Sequence, residues 1–169
     1  SGNCIYVGSD NTHVLVDIGI SGKKMETGLN SLELTGRDLD GILITHEHSD
    51  HIKGLGVISR KYGIPIYATA GTVDAMVRTN ALGKIPEGIF HEIQEDEPFM
   101  INDLKVNPFT IPHDAAQPVG YRLEHEGHSV GIATDLGKYN DYIIENLQGL
   151  DALLLEANHD IRMLQGGKY

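Results

Sequence analysis

The sequence predicts a single α/β domain in which β-sheets are stacked and covered by helices on the outside. Its 169 residues suffice for one domain with a sizeable core. The first half alternates apolar strand segments with helical segments, whereas residues 89–134 contain a run of short strands separated by turn signals. A helix and a strand follow this run, and we find no linker, internal repeat or low-complexity segment.

The chain begins with a predicted hairpin and a helix. NCIYVG and HVLVD, within residues 3–17, predict two strands joined by the turn SDNT. GKKMETGLNSLEL, residues 22–34, predicts a helix that has Met25, Leu29 and Leu32 on one face. That face should be buried.

Strands and helices then alternate. GILIT (41–45) is a continuous apolar run, which is typical of a strand buried on both faces. IKGLGVISRKYG (52–63) predicts a helix that ends at its last glycine. IPIYAT (64–69) predicts a strand, and AGTVDAMVRTN (70–80) predicts a helix.

The second half should form an antiparallel array closed by a βα-type unit. Its short strand segments are IFHEI, EPFMI, LKVNPFTI, PVGYRLE and HSVGIAT. ND at 102–103 and HEG at 125–127 predict hairpin turns. KYNDYIIENLQGL (138–150) predicts a helix, and DALLLEA (151–157) predicts a buried strand.

Composition excludes several classes of protein. The formal net charge of −11 argues against binding of polyanions over the whole surface, but it leaves room for a local basic rim. No apolar run approaches the ~20 residues of a membrane span, so we expect no membrane partner. A single cysteine, Cys4, rules out an internal disulfide, suits the cytoplasm and should be a buried, inert thiol. No feature bears on the oligomeric state.

The segment THEHSDH concentrates metal-binding side chains directly after a predicted buried strand. His46 and His48 are two residues apart, so an extended backbone points both the same way and they can bind one cation. Ser49 is a candidate helix N-cap, and Asp50 and His51 then enter the first turn, where they can face a second cation. Imidazole and carboxylate suit Zn²⁺ or Mn²⁺, with Fe²⁺ as a third candidate.

THEHSDH resembles the H-x-H-x-D-H signature of the metallo-β-lactamase superfamily, and the resemblance extends over nearly the whole chain. SGN, HDAAQPVGY and EANHD resemble its YycJ/WalJ-type branch, whose members are metal-dependent hydrolases with DNA exonuclease activity. The resemblance implies one domain over residues 1–169, an αββα four-layer sandwich. We expect it to be a fragment, incomplete at both termini, because an initiator methionine and the GHLSN-like late motif of the branch are missing.

The resemblance also implies metal ligands. It matches His113 to the third ligand of the first cation and Asp135 to the carboxylate that bridges both cations. From position alone, His113 could be a turn residue and Asp135 a helix cap. Asp17 would fix a ligand imidazole or loop, or would be a plain turn residue. The expected ligands are therefore His46, His48, Asp50, His51, His113 and Asp135.

The candidate catalytic residues are Asp50 and His159. Asp50 should hold or orient the attacking hydroxide. His159 has three readings: a metal ligand, a proton donor to the leaving group, or a histidine held by Asp160. Glu47 lies between two ligands and should point away from the metals, either exposed or capping backbone groups.

Together these features predict a binuclear metal-dependent hydrolase that uses a metal-bridging hydroxide and no serine or cysteine nucleophile. We expect DNA as the substrate, cleaved by an exonuclease. Lys23, Lys24, Lys53 and Arg78 could rim the site and contact phosphates, or each could be a solvated surface charge. The alternatives are a small-molecule phosphodiesterase, a glyoxalase-II-like thioesterase and a non-enzymatic metal-binding scaffold with an incomplete site. Because a late ligand is missing, the second cation should bind more weakly than the first.

Overall fold

The structure, a computed structural model, describes residues 2–156. The candidate proton donor His159 and its neighbour Asp160 lie outside the described residues, so the predictions about them stay predictions. No helix within the described part is long and apolar enough to cross a bilayer.

The first sheet contains the five N-terminal strands in sequence order. The first two strands are antiparallel and all later neighbours are parallel. Its strands are β1 (Ile5–Gly8), β2 (His13–Val16), β3 (Gly41–Leu43), β4 (Ile66–Thr69) and β5 (Phe90–Ile93). The intervening helices are α1 (Gly22–Ser31), α2 (Ser49–Ile52), α3 (Leu55–Tyr62) and α4 (Ala70–Arg78).

The second sheet contains the remaining five strands in the order β10-β9-β8-β7-β6. Its strands are β6 (Phe99–Ile101), β7 (Leu104–Thr110), β8 (Val119–His125), β9 (His128–Ala133) and β10 (Ala152–Leu155), and α5 (Asp141–Leu147) precedes the last. Both predicted hairpin turns are confirmed. Asn102 has φ 49° between β6 and β7, and Glu126 and Gly127 have φ 48° and 82° between β8 and β9.

Three hydrophobic clusters establish the order of the layers. The first packs the first sheet against α1, α3 and α4 and includes Met25. The second lies between the sheets and joins Leu43 to Tyr121. The third packs the second sheet against α5 through Phe109 and Ile143. The order is helices, sheet, sheet, helix, which confirms the expected αββα sandwich.

Two helix predictions were wrong in detail. Helix α1 ends at Ser31, and Leu32, expected on the buried face, is 51% exposed because it caps the helix end. The helix predicted over residues 52–63 begins only at Leu55, after the short α2. His48, not Ser49, occupies the N-cap position of α2. The break lies at Gly54, where a Cβ would overlap the Ile18–Ile20 segment.

The prediction of a buried last strand was also wrong. Leu153, Leu154 and Leu155 of β10 are 45%, 48% and 51% exposed. The strand lies at the edge of its sheet and pairs with β9 alone among the described strands. An apolar run by itself does not distinguish an edge strand from a central one.

Candidate metal centre

The candidate ligands lie just beyond the ends of strands. Asp17 follows β2, His46 follows β3, His113 follows β7 and Asp135 follows β9. The strands β2 and β3 are parallel, so their carboxyl ends lie on the same side of the sheet. Ligands of α/β folds commonly bind beyond the carboxyl ends of the strands. The fold therefore brings residues that are far apart in sequence to one place.

The three predicted ligands of the first cation converge. The Nε2 atoms of His46 and His113 lie 3.1 and 3.2 Å from Nδ1 of His48. Nitrogens bound to one tetrahedral cation at ~2.0–2.1 Å would be about 3.3 Å apart, so the rings fit such an ion. Burial, helped by the neighbouring imidazoles, lowers the pKa of His46 to about 2, so this ring is neutral and its lone pair is available.

A second group shares one of these rings. Asp135 Oδ2 lies 2.7 Å from His51 Nε2 and 3.6 Å from His46 Nε2. The three side chains are buried and can offer ligand atoms to one ion. Asp135 thus lies within reach of both groups, the position expected of a bridging carboxylate. Apart from this 2.7 Å pairing with Asp135, buried His51 Nε2 has no hydrogen-bond partner among the described residues, which fits a nitrogen that serves as a metal ligand.

Asp50 lies beside the second group without joining it. Its Oδ2 is 3.7 Å from His51 Nε2, and its side chain is 56% exposed. Sequence reasoning grouped Asp50 with His51 and Asp135, whereas the compact group contains His46 in its place. The backbone near Asp50 is held firmly, because its carbonyl accepts the Asn3 N–H at 2.8 Å.

Asp17 occupies the position expected of a residue that fixes a ligand. It is fully buried and accepts hydrogen bonds from the Thr45 N–H at 2.8 Å, the Thr45 hydroxyl at 2.7 Å and His51 Nδ1 at 2.8 Å. Burial raises the pKa of Asp17, although these hydrogen bonds oppose the shift. Burial lowers the pKa of His51, but the hydrogen bond and charge of Asp17 outweigh it and the net pKa is raised. Because Nδ1 carries the proton shared with Asp17, Nε2 is the nitrogen directed at the metal centre.

The loop that carries His113 is held by two side chains, of which the sequence had singled out Glu47 but not Gln117. The Glu47 carboxylate accepts the Ala116 N–H at 2.8 Å. The Gln117 side chain accepts the Gly71 N–H, also at 2.8 Å. Glu47 had been expected to be exposed or to cap backbone groups, and the structure places it in the capping role. No local pattern in the sequence marked Gln117, since its partner is 46 residues away.

A groove of about 410 Å³ adjoins Asp50. Two of the four candidate phosphate-binding residues, Lys24 and Lys53, line it, whereas Lys23 and Arg78 are not among its described lining residues. The ion pairs that lysine and arginine form within the described part lie elsewhere, at Lys61, Lys105 and Arg122. The lining carries two lysines against one carboxylate, that of Asp50, so the groove is a weakly basic patch on an acidic protein.

Cys4 is not equipped to act as a nucleophile. The residue is half-buried and packs against the first hydrophobic cluster. Burial, followed by the charge of Asp17, raises the pKa of Cys4 to about 12. The thiol therefore stays protonated at neutral pH, as the sequence led us to expect.

Comparisons with known proteins agree with this fold. Residues 12–166 match the model of the family described as Beta-lactamase superfamily domain. All 169 residues align with exodeoxyribonuclease YycJ of Bacillus anthracis at 40% identity and with exodeoxyribonuclease WalJ of Streptococcus pneumoniae at 39%. The chain spans 63% of the length of each relative.

A solved structure extends the likeness. A diphosphatase from the PhnP family matches with a TM-score of 0.69 and 26% identity, over 90% of this chain and 58% of that one. The strand-end ligand positions, the two facing sheets and the match over residues 12–166 lead to one conclusion. The chain belongs to the metallo-β-lactamase superfamily, and over its whole length it is similar to the YycJ and WalJ exodeoxyribonucleases.

Proposed function

We propose that the chain carries the catalytic centre of a metal-dependent exonuclease that cleaves phosphodiesters in DNA. The observation that carries this proposal is the pair of three-residue ligand groups that share His46 at the strand ends. The names of the two relatives, both exodeoxyribonucleases, support DNA as the substrate. The chain spans only 63% of the length of these relatives. We therefore extend their exonuclease activity to this chain as a proposal.

The donor set suits two divalent cations, Zn²⁺ or Mn²⁺ with Fe²⁺ as a third candidate. His46, His48 and His113 would hold the first. His51 and Asp135 would hold the second, with Asp50 close by. When bound, such a pair would lower the pKa of a shared water to supply the nucleophile and would offset negative charge on the phosphoryl oxygens.

The protein's own residues would orient this chemistry. Asp17 fixes the ring of His51 through the 2.8 Å hydrogen bond to Nδ1. Asp50, whose carboxylate is 56% exposed at the mouth of the site, would orient the attacking water and accept its proton. Placing both groups before the substrate binds lowers the cost of reaching the transition state.

The basic groove beside Asp50 would receive the DNA backbone. Lys24 and Lys53 line it together with the hydroxyls of Ser21 and Ser49, and such groups commonly contact phosphate. The net charge of −11 repels DNA elsewhere on the surface, so binding would depend on this patch.

A small phosphodiester is the second candidate substrate, because the PhnP-family diphosphatase shares the fold at 26% identity. Thioester hydrolysis and a non-catalytic scaffold are the remaining alternatives. A cytoplasmic location and the absence of a membrane partner also belong to the proposal.

Digestion of end-labelled single- and double-stranded DNA tests the proposal. With Mn²⁺ or Zn²⁺ added, we expect progressive shortening from an end, and we expect EDTA to stop it. Asp135→Asn serves as the inactive control. Intact DNA alongside hydrolysis of bis-p-nitrophenyl phosphate would favour the small-substrate alternative, and turnover of S-lactoylglutathione alone would favour the thioesterase.

A charge reversal tests the groove. Lys24→Glu and Lys53→Glu should weaken binding of all DNA sequences alike and flatten the salt dependence of binding, because each removes a phosphate contact. Hydrolysis of the small phosphodiester should be unchanged. Lys61→Glu, which alters a lysine paired with Glu26 away from the groove, is the matched control.

A further inference from the structure

We propose that Glu47 is a positioning residue that fixes the loop carrying His113 and so completes the three-histidine site. This inference rests on the proposed metal centre. It concerns a residue between His46 and His48 that is not itself a ligand.

The loop in question is residues 111–118, which join β7 to β8. Its His113 side chain must approach the other two rings from the second sheet, whereas His46 and His48 follow β3 of the first sheet. The position of His113 relative to the other two rings therefore depends on how firmly this loop is held against the first sheet. Within the loop, the Ala115 N–H bonds the His113 carbonyl at 3.0 Å, which tightens its turn.

Glu47 links the two sides of the site. Its Oε1 accepts the Ala116 N–H at 2.8 Å across a sequence separation of 69 residues. Ala116 is three residues beyond His113. The hydrogen bond therefore ties the histidine motif to the loop close to the point where the third ring enters the site.

The carboxylate is not an ordinary solvated surface group. Its second oxygen, Oε2, is buried and forms no hydrogen bond with a described residue. A carboxylate that faced solvent would keep both oxygens hydrated, since an unsatisfied buried acceptor carries a cost in stability. One oxygen of the half-buried carboxylate thus faces the protein, and the other accepts the Ala116 N–H.

The loop has a second anchor that acts at a distance from the ligands. Thr69 Oγ1 donates to the Gln117 carbonyl at 2.8 Å, and the Gln117 side chain bonds the Gly71 N–H and Glu95. These contacts attach the loop to β4 and α4. Loss of Glu47 would therefore leave the loop attached but would release its His113 end from the motif.

Three substitutions of Glu47 distinguish the effect of its side-chain length from the effect of its negative charge. Glu47→Gln keeps an acceptor at the same reach and removes the charge. Glu47→Asp keeps the charge but withdraws the oxygens from Ala116, and Glu47→Ala removes both. The readout is Co²⁺ titration of the metal-free chain, followed by the visible absorption of Co²⁺, which reports the geometry of the ligands.

We expect Glu47→Gln to keep the wild-type cobalt spectrum and affinity. Glu47→Asp and Glu47→Ala should bind the first Co²⁺ about 10–100-fold more weakly, with an altered spectrum, as loss of an orienting partner commonly causes. Glu26→Ala, which removes a carboxylate bonded to Lys61 and Tyr62, controls for general destabilisation.

Equal losses in Glu47→Gln and Glu47→Asp would overturn the positioning role and indicate a charge effect. A wild-type spectrum in Glu47→Asp, or an equal loss in Glu26→Ala, would overturn it as well. If Glu47→Ala does not fold, the Gln and Asp pair still decides the question. A chain that binds cobalt normally but leaves DNA intact would contradict the proposed nuclease function and not this inference.

Discussion

Asp17 and Asp135 share an uncommon backbone conformation. Their φ angles are 61° and 56°, in the left-handed region that most side chains avoid. Aspartate and asparagine tolerate it better than β-branched or bulky residues do, and residues held there commonly lie at functional sites. At both positions the conformation lets a carboxylate turn from the end of a strand towards the imidazoles.

Replacing Asp17 by asparagine should weaken both the fold and the metal centre. Asparagine tolerates φ 61° but places an amide donor against the Thr45 or His51 donors. We expect a loss of about 2–3 kcal/mol in the free energy of unfolding, measured with urea. Metal affinity should fall by about 10–100-fold. The exposed Asp114→Asn is the control, and equal stability of the two variants would contradict the proposed role of Asp17.

Removal of the exposed carboxylate of Asp50, or of the Asp135 carboxylate that lies between the two ligand groups, should nearly abolish phosphodiester hydrolysis. Asp50→Ala and Asp135→Ala should each lower phosphodiester hydrolysis by at least about 100-fold, because charge in the transition state loses its support. Asp50→Ala should keep wild-type stability since its side chain is 56% exposed. Asp135→Ala should cost about 1–2 kcal/mol because alanine resists a left-handed backbone. Initial rates and circular dichroism check both, and unchanged turnover would remove these residues from the mechanism.

Individual residues differed in how well the sequence revealed them. His46 and His48 were readable because their spacing of two has a direct geometric meaning in an extended backbone. His113 and Asp135 needed the family resemblance, since strand-end histidines and aspartates have common structural roles. The capping role of Glu47 was among the expectations but its partner Ala116 was not, and Gln117 was not singled out at all, because these partners become neighbours only in the folded chain.

At the scale of elements, tight backbone contacts place Asp50. The Gly19 N–H donates to the Asn3 carbonyl at 2.6 Å, and the Asn3 N–H donates to the Asp50 carbonyl at 2.8 Å. A Cβ on Gly19 would overlap the carbonyl oxygen of Asp50. The segment before α1 thus touches α2 at a point where only a glycine fits.

A pair of glycine substitutions tests this contact. Gly19→Ala should push the Asp50 backbone away, destabilise the fold and weaken metal binding near His51, because the overlap involves backbone atoms on both sides. Gly28→Ala, in α1 with open space around its Cβ, should stabilise the fold by about 0.5–1 kcal/mol. Thermal unfolding and metal titration compare them. A Gly19→Ala protein with wild-type metal affinity would show that this contact does not position Asp50.

The strands and turns were largely predictable, and the helix ends were not. Both hairpin turns contain a residue that adopts positive φ readily, Asn102 in one and Gly127 in the other. The turns can therefore be recognised from the local sequence alone. The break between α2 and α3 depends on close packing of Gly54 against Ile18 and Ile20, which no local pattern reveals. The exposed β10 was misjudged because an apolar run does not say which strand lies at the edge.

At the scale of the molecule, the sandwich explains why the site forms at all. The second hydrophobic cluster fixes the two sheets face to face, and Tyr121 donates a 2.6 Å hydrogen bond across to the Ile44 carbonyl. This bond lies two residues from His46. The first sheet can therefore present the histidine motif to His113 and Asp135 of the second sheet with little freedom.

The two ligand groups are unequal, and this inequality is the basis for the most direct test. In the first group, the Nε2 atoms of His46 and His113 lie 3.1 and 3.2 Å from His48 Nδ1. The second group has to share His46 with the first, and the Asp50 side chain beside it is 56% exposed. The first cation should therefore bind more tightly than the second, as was expected from the sequence. The measurement is titration of the metal-free chain with Zn²⁺ or Mn²⁺, with bound ions counted by native mass spectrometry.

We expect the chain to bind two ions with clearly different affinities. His113→Ala should abolish the tighter event, and Asp135→Asn should weaken the second more than the first. A chain that binds no divalent cation, or that binds two with equal affinity and is indifferent to His113→Ala, would contradict the proposed metal centre.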